Sequence, residues 1–358
     1  MNERPNDTSP HDPQEIGRLL ARVFDGERLD AEEARGVMGR LMDGELSAVQ
    51  AAALLAALRT RGETVDEIVG FARAMRERAV RVPITWEGPV VDTCGTGGTG
   101  VSTINVSTTA MFVAAAGGVR VAKHGNRGVT KRSGSADVLE ALGVRVDIPP
   151  EAVSEAIATL GVGFVFARHH HPAMRFVAPI RADLQARTVF NNLGPLTNPA
   201  DARRHLMGVY DAAHTEMLAE VLRGLGLERA LVVHGDGLDD LAVSGESVVS
   251  ELERDGSVHT RRVTPEELGV LRAPRDAIAG GGPVENAAAA REVLAGRGPR
   301  AHRDVVALAA GAALYLADAA DDLPLGVTHA QDVIASGAGL ELLERYAAFT
   351  RRAAPAAT

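Results

Sequence analysis

Apolar positions along this chain follow two rhythms, and the change falls at Pro83. From Pro13 to about Arg81 they recur at helical spacing: Leu19, Leu20 and Val23, then Val49, Ala52, Ala53 and Ala56. Ser47 and Thr64 stand where N-caps belong, the latter with Glu67 three residues on as a capping box. The pattern predicts four short helices and no strand. A unit of that kind has no strand-end loops to hold a ligand, so it is expected to serve as a lid or an oligomerisation surface.

Beyond Pro83, short apolar runs alternate with helix-like stretches. Pro89-Val-Val-Asp reads as a strand, Ile104–Ala116 as a helix stopped by Gly117-Gly118, and Val119–Ala122 as a second strand. Ala136–Leu142 reads as a helix closed by Gly143. Val144–Ile148 and Gly163–Ala167 read as further strands around a helix beginning near Pro150. Leu206–Tyr210 and Ala230–His234 continue the pattern around the helix Ala212–Leu225. Asp255-Gly256 marks a hairpin near Leu252–Arg262, so the sheet is expected to end in antiparallel members. The last third is Ala-rich helix broken at Gly280-Gly281-Gly282. The fold class expected is α/β: a small all-helical N-terminal domain, then a larger domain with a central mixed, mostly parallel sheet flanked by helices.

Composition narrows the function. With 358 residues the chain exceeds the usual single-domain size. A formal net charge of −9 argues against a nucleic-acid partner. It leaves open a phosphorylated substrate, because a local basic cluster sets the field in a cleft. A single cysteine, Cys94, rules out a disulfide within the chain. The polar residues 1–13, with three prolines, are expected to be disordered, and no uncharged apolar run is long enough to span a bilayer. A cytoplasmic protein with no membrane partner is the expectation.

The chemistry concentrates at Val91–Thr108. Gly95, Gly97, Gly98 and Gly100 lie between a strand-like and a helix-like run, where bare backbone N–H groups can approach an anion. Asn105, Ser107 and Thr108 place small polar groups at the following helix start. By letter the loop matches the dinucleotide pattern G-x-G-x-x-G, but the second strand ends in Lys123-His-Gly-Asn-Arg127 with no carboxylate for a ribose diol. An NADP site would tolerate the arginine, so that reading stays open at this point. A Walker loop fails, since no Gly-Lys-Ser/Thr follows. Lys123–Arg127 gathers donors one βα unit away, and Lys131, Arg132, Ser133 and Ser135 extend them. Asp239-Asp240, after the strand Ala230–His234, is a polar turn in isolation and a Mg²⁺ site beside two phosphate loops. His169-His170-His171 lacks the partners of a zinc site and reads as a loop wall against a ligand. Cys94 has no evident base beside it and reads as small packing under the glycine loop.

Several blocks together resemble the anthranilate phosphoribosyltransferase family of tryptophan biosynthesis. They are Gly95-Thr-Gly-Gly98, Asn105-Val-Ser-Thr108, Lys123-His-Gly-Asn-Arg127, Ser133–Gly143, His170-His-Pro-Ala-Met-Arg175, Arg187–Pro199 and Asp236-Gly-Leu-Asp-Asp240. They occur in family order over roughly residues 14–345. The resemblance implies a helical domain at 14–82 with a contribution from about 175–202, an α/β domain at 83–174 and 203–350, and a homodimer formed through the helices. It implies transfer of the phosphoribosyl group of 5-phosphoribosyl 1-pyrophosphate (PRPP) to anthranilate, with two Mg²⁺ ions and no covalent nucleophile. Gly95, Gly98, Thr99, Thr103, Asn105, Val106, Ser107 and Thr108 would cradle PRPP, as would Lys123, His124, Gly125, Asn126, Arg127, Gly128, Val129, Thr130, Lys131 and Ser135. Gly95, His124, Asn126, His171, Arg181 and Pro195 would contact anthranilate, with Arg181 on its carboxylate; Ser107, Asp239 and Asp240 would bind metal.

Three positions leave the common family pattern: Thr99 for Asp, Asp240 for Glu and Arg132 for Lys. They are expected to shift Mg²⁺ demand or substrate affinity. Other readings remain at this stage: the same transfer to a substituted aminobenzoate, a pyrimidine-nucleoside-phosphorylase-like enzyme, and a non-catalytic phosphoribosyl-ligand-binding paralogue. Asn126-Arg127 counts against the phosphorylase, and Thr99 keeps the non-catalytic reading alive.

Overall fold

The computed structural model describes residues 13–128 and 133–354. The expected N-terminal tail (except Pro13) and Val129, Thr130, Lys131 and Arg132 therefore lie outside the described residues.

Helices α1 (Pro13–Phe24), α2 (Ala31–Met42), α3 (Ala48–Arg61) and α4 (Val65–Glu77) come first, with no strand among them. Local signals set three of the starts. Asp30, Ser47 and Thr64 each accept a backbone N–H of the first turn, and Glu33, Gln50 and Glu67 close the reciprocal bond. Glu67 is fully buried, and its carboxylate also takes the Leu29 N–H at 2.9 Å and the Arg61 guanidinium. Cap, inter-helix tie and ion pair thus meet on one side chain, which compensates its burial.

The larger unit opens with β1 (Val90–Asp92), α5 (Val106–Ala116), β2 (Arg120–Gly125), α6 (Ser135–Ala141), α7 (Pro150–Leu160) and β3 (Val162–Phe166). A short turn α8 (Ala167–His170) leads to α9 (Ala178–Leu184) and α10 (Phe190–Leu193). The sheet resumes with β4 (Arg204–Gly208), α11 (Thr215–Gly224), β5 (Arg229–Gly235), β6 (Ser247–Leu252) and β7 (Val258–Val263). Helices α12 (Pro283–Leu294), α13 (Arg300–Leu316), α14 (Leu323–Ser336) and α15 (Ala338–Ala353) complete the chain. The seven strands lie in the order β3-β2-β1-β4-β5-β6-β7. From β3 to β5 all pairs are parallel, and β6 and β7 are antiparallel about the Asp255-Gly256 turn. The mixed, mostly parallel sheet expected from the pattern is present.

Strand order reverses between β1 and β4, and in open α/β sheets such a switch point leaves a crevice at the strands' carboxyl ends. One apolar core joins α5 and α12–α15 to one face of the sheet. A second unites α1–α4 with Val177, Ile180, Phe190 and Leu193, and runs on to Met207, Val232 and α11. The segment before β4 thus packs with the N-terminal helices. Where α13 crosses α14, Gly311 and Gly326 face each other, and a Cβ on either would overlap the opposite backbone.

Val144–Ile148 is not a strand. Val144, Val146 and Ile148 are buried in alternation as a strand's would be, but they pair with no strand of the sheet. The Arg145 N–H donates instead to Thr350 Oγ1 of α15 at 3.0 Å. Alternation reported one-sided burial, and burial does not require a ladder. The Ala212–Leu225 helix opens as a single 3-10 turn, Ala212–His214, with Asp211 accepting the Ala213 N–H. Ile104 lies before its predicted helix, because its N–H is taken by the Ile278 carbonyl at 3.1 Å.

Candidate active site

Parallel strands bring their carboxyl ends to one edge, and with them the loops that carry the chemistry. The glycine loop follows β1, Lys123–Gly125 ends β2, and Asp239-Asp240 follows β5. Together they line a cleft of about 360 Å³. Its wall holds Gly95, Gly98, Thr103, Asn105, Val106, Ser107, Lys123, His124, Gly125, Asn126, Arg127, Gly128, Ser135, Arg181, Pro195, Asp239 and Asp240 of the residues expected from sequence.

The glycine loop is held down by its neighbour. Thr96 donates its N–H to the Gly208 carbonyl at 2.8 Å, and a Cβ on Gly95 would press into the Gly208 backbone. Gly208 in turn has no Cβ because the Asp239 backbone lies against it. These two close approaches stack the β1, β4 and β5 loops and carry the carboxylates to the glycine loop.

Asn105 precedes α5 without capping it. Its side chain is engaged elsewhere, donating to the Ser133 carbonyl at 3.4 Å and accepting from Asn286 Nδ2 at 2.7 Å. The start of α5 therefore lacks a side-chain cap from Asn105 and faces the cleft, which suits an anion. Asn286, buried on α12, also accepts the Gly281 N–H at 2.8 Å and donates to the Thr103 carbonyl. It was not singled out in the sequence; the triple-glycine break beside it was the only signal.

Lys123 is buried, and its ammonium donates to the Thr93 carbonyl at 3.1 Å and to Ser107 Oγ at 3.0 Å. Below it Asp92 accepts the His124 N–H at 3.1 Å. His205 contacts the Cys94 carbonyl at 2.8 Å, and burial lowers its pKa. Burial pushes the Cys94 thiol up to about 12, so it is a protonated packing group beneath the loop.

His124 shares Nδ1 with the Gly194 carbonyl at 3.0 Å, and its Nε2 is buried without a partner. His171 stands behind it, off the cleft wall, with ring centres 5.2 Å apart. Burial, reinforced by neighbouring histidines, drives His124 well below the usual imidazole range and His171 to about 4. Two neutral rings therefore form an aromatic wall. Among the described residues no cluster of three His, Cys, Asp or Glu is placed to hold a metal.

Some expected donors are otherwise engaged. Arg127 is held by Asp137 at 3.1 Å and by both Glu140 oxygens at 2.6 Å, and lies over the Phe166 ring. The Gly128 N–H donates to Asp137 at 2.9 Å. Thr99 and Thr108 lie off the wall, each with a buried hydroxyl that lacks a partner. Arg181 stays on the wall with its guanidinium over the Phe190 ring at 5.5 Å; burial lowers its pKa, though a guanidinium keeps its charge. The wall also contains Gly97 of the glycine loop, and Thr96, Arg187, Asn191 and Gly194, to which the sequence assigned no role.

Residues 87–340 match the profile of the glycosyl transferase family, a/b domain, and residues 18–79 that family's helical bundle domain. The anthranilate phosphoribosyltransferase of Deinococcus radiodurans is 52% identical over 334 residues, 93% of this chain and 98% of that protein. The chain belongs to the anthranilate phosphoribosyltransferase family. The enzyme of that name from Thermus thermophilus is 55% identical over 328 residues, covering 91% of this chain and 97% of that protein. A crystal structure of the Thermus thermophilus enzyme superposes with a TM-score of 0.88 over 93% of this chain and 99% of that one, at 52% identity. The Saccharomyces cerevisiae enzyme, solved in complex with PRPP and Mg, shares the fold at 23% identity, with a TM-score of 0.86 over 95% of this chain and 99% of that one. The family that the motif blocks resemble is thus the family of the chain, a group of glycosyltransferases in tryptophan biosynthesis.

Proposed function

We propose that this cleft is where the chain, as a member of its family, transfers the phosphoribosyl group of PRPP to the amino group of anthranilate, releasing pyrophosphate. The observation that carries the assignment is the meeting, in one cleft, of the glycine loop, the Lys123 ammonium, the Asp239-Asp240 pair and an arginine without an acidic partner. The first three suit a diphosphate with its metal, and Arg181 suits a planar carboxylate. The proposed transfer needs no covalent nucleophile. The cleft instead orients the amine and stabilises charge as the anomeric carbon becomes electron-poor.

Mg²⁺ is the proposed metal, in two ions. Asp239, Asp240 and the Ser107 hydroxyl supply hard oxygen donors on the same wall, and phosphate oxygens and water would complete the shell. The Ser107 hydroxyl already accepts from Lys123 and keeps one lone pair for a metal. Bound there, Mg²⁺ would neutralise the diphosphate. The finer binding set is the one expected above, with Arg127 and Gly128 contributing little, since both are tied to α6, and with Thr99, Thr108 and His171 set behind the cleft wall.

The helical unit, 14–82 with about 175–202, is proposed to form a homodimer; exposed Phe24 and Val49 on α1 and α3 support that surface. The cytoplasm is the proposed compartment, in keeping with a single cysteine and with no described helix long and apolar enough to cross a membrane. Loss of anthranilate fluorescence, measured with purified protein, PRPP and Mg²⁺, tests the reaction, and no turnover would overturn it. Repeating it with substituted aminobenzoates identifies the acceptor, and light scattering reports the dimer.

A further inference from the structure

Arg187 lies between α9 and α10 on the cleft wall, and nothing above gives it a task. Its guanidinium stacks 3.6 Å from the centre of the Tyr210 ring. On its other side is Gly98, where a Cβ would overlap Arg187 Nη1. Gly98 also has φ +84°, a backbone conformation that side-chain-bearing residues rarely adopt. Arg187 Nη2 is buried without a hydrogen-bond partner, and so is the hydroxyl of Thr99, the next residue of the same turn. A buried guanidinium N–H left without an acceptor is costly, which marks a place where a ligand supplies one.

The other cations of the described wall sharpen this. Lys123 donates to Thr93 and Ser107, and Arg127 is neutralised by Asp137 and Glu140. Arg181 and Arg187 remain without a carboxylate, each resting on an aromatic ring. The substrates bring two kinds of anion, a carboxylate and phosphates. Arg187 is the arginine that touches the glycine turn. Its platform is tied to that turn as well, since the Tyr210 N–H donates to Thr96 Oγ1 at 3.2 Å.

We propose that Arg187 is a catalytic residue that receives the departing diphosphate, an assignment that rests on the phosphoribosyl-transfer reading above. In the step, the bond between the anomeric carbon and the diphosphate oxygen breaks with its electron pair passing to that oxygen. The amine lone pair of anthranilate forms the new carbon–nitrogen bond, and the amine proton is lost to solvent. Charge on the diphosphate grows as the bond breaks, so a fixed guanidinium beside it stabilises the transition state more than the ground state.

Calorimetry with inorganic pyrophosphate and Mg²⁺, alongside steady-state kinetics, tests this on the wild type, Arg187→Gln and Arg187→Lys. Arg187→Gln is expected to weaken pyrophosphate binding about tenfold or more and to lower kcat/KM for PRPP at least as much, while KM for anthranilate stays within about twofold. Arg187→Lys, which keeps the charge without the fork, is expected to fall between the two. A folded Arg187→Gln that binds pyrophosphate as the wild type does, or whose loss falls on anthranilate, would overturn the proposal while leaving the reaction in place. Should Arg187→Gln fail to fold, wild-type pyrophosphate affinity in Arg187→Lys would overturn it equally. A wild type that never consumes anthranilate would overturn the underlying reading as well.

Discussion

The two ends of the sheet use arginine in opposite ways. At the amino ends of the parallel strands, Arg204 opens β4 and Arg229 opens β5, and both reach Asp318, as does Arg254 beyond β6. Arg229 lies 4.3 Å from the centre of the Tyr315 ring, whose hydroxyl donates to Glu251 at 2.7 Å. These cations carry their counter-charges with them, and such a cluster fastens loops. At the carboxyl ends Arg181 and Arg187 also lie on aromatic rings but have no carboxylate. An aromatic face steadies a guanidinium without neutralising it, which is why a ligand's anion is the proposed partner of each. What separates a structural from a functional arginine here is the acid it lacks.

Four experiments press on this contrast. Arg181→Ala is expected to raise KM for anthranilate about a hundredfold, the loss of a charge-assisted pair worth about 2–3 kcal/mol, with pyrophosphate affinity and thermal stability little changed. Equal loss of both substrates would break the division of labour between the two arginines. Asp318→Ala should do the reverse, lowering stability by about 2 kcal/mol in urea titration as three arginines lose a shared acceptor, with kcat/KM close to the wild type. A large loss of activity without loss of stability would refute the structural role of the amino end. Asp239→Asn is expected to raise the Mg²⁺ concentration for half-maximal activity about tenfold, and an unchanged Mg²⁺ dependence would remove Asp239 from the metal site.

The smallest effect concerns the histidine wall, measured by thermal melts against pH. His124, His170, His171 and His205 all have lowered pKa values, chiefly through burial. Below the ordinary imidazole value of 6.5 the unfolded chain therefore binds more protons than the folded one, so stability falls with pH from about 6.5 towards the His171 value of about 4. If folded-state stability is flat across that window, the rings are not buried neutral.

The arrangement of elements was legible because it is written in local chemistry. Capping boxes at Ser47 and Thr64 start helices whatever packs on them, and Asp255-Gly256 closes a hairpin from its own turn preference. Val144–Ile148 was misread because its alternation reflects burial against neighbouring elements, and burial on one side needs no ladder to the sheet. Within the site, glycines and helix-start hydroxyls pointed to an anion, since those residue types have few other uses at a strand end.

The residue types and their spacing by themselves pointed to an anionic ligand and gave the fold class, because backbone freedom, capping and donor chemistry are properties of short segments; the family came from the resemblance of whole motif blocks. Only the tertiary structure decided which charges are available. Arg127 sits in a donor-rich motif and is neutralised by Glu140, while Arg187, to which the sequence assigned no role, lines the cleft and has a buried N–H unpartnered. Asn286, far along the chain, holds Asn105 in place. A charge is cancelled by whatever approaches within a few ångströms, and that neighbour is chosen by the packing of distant segments.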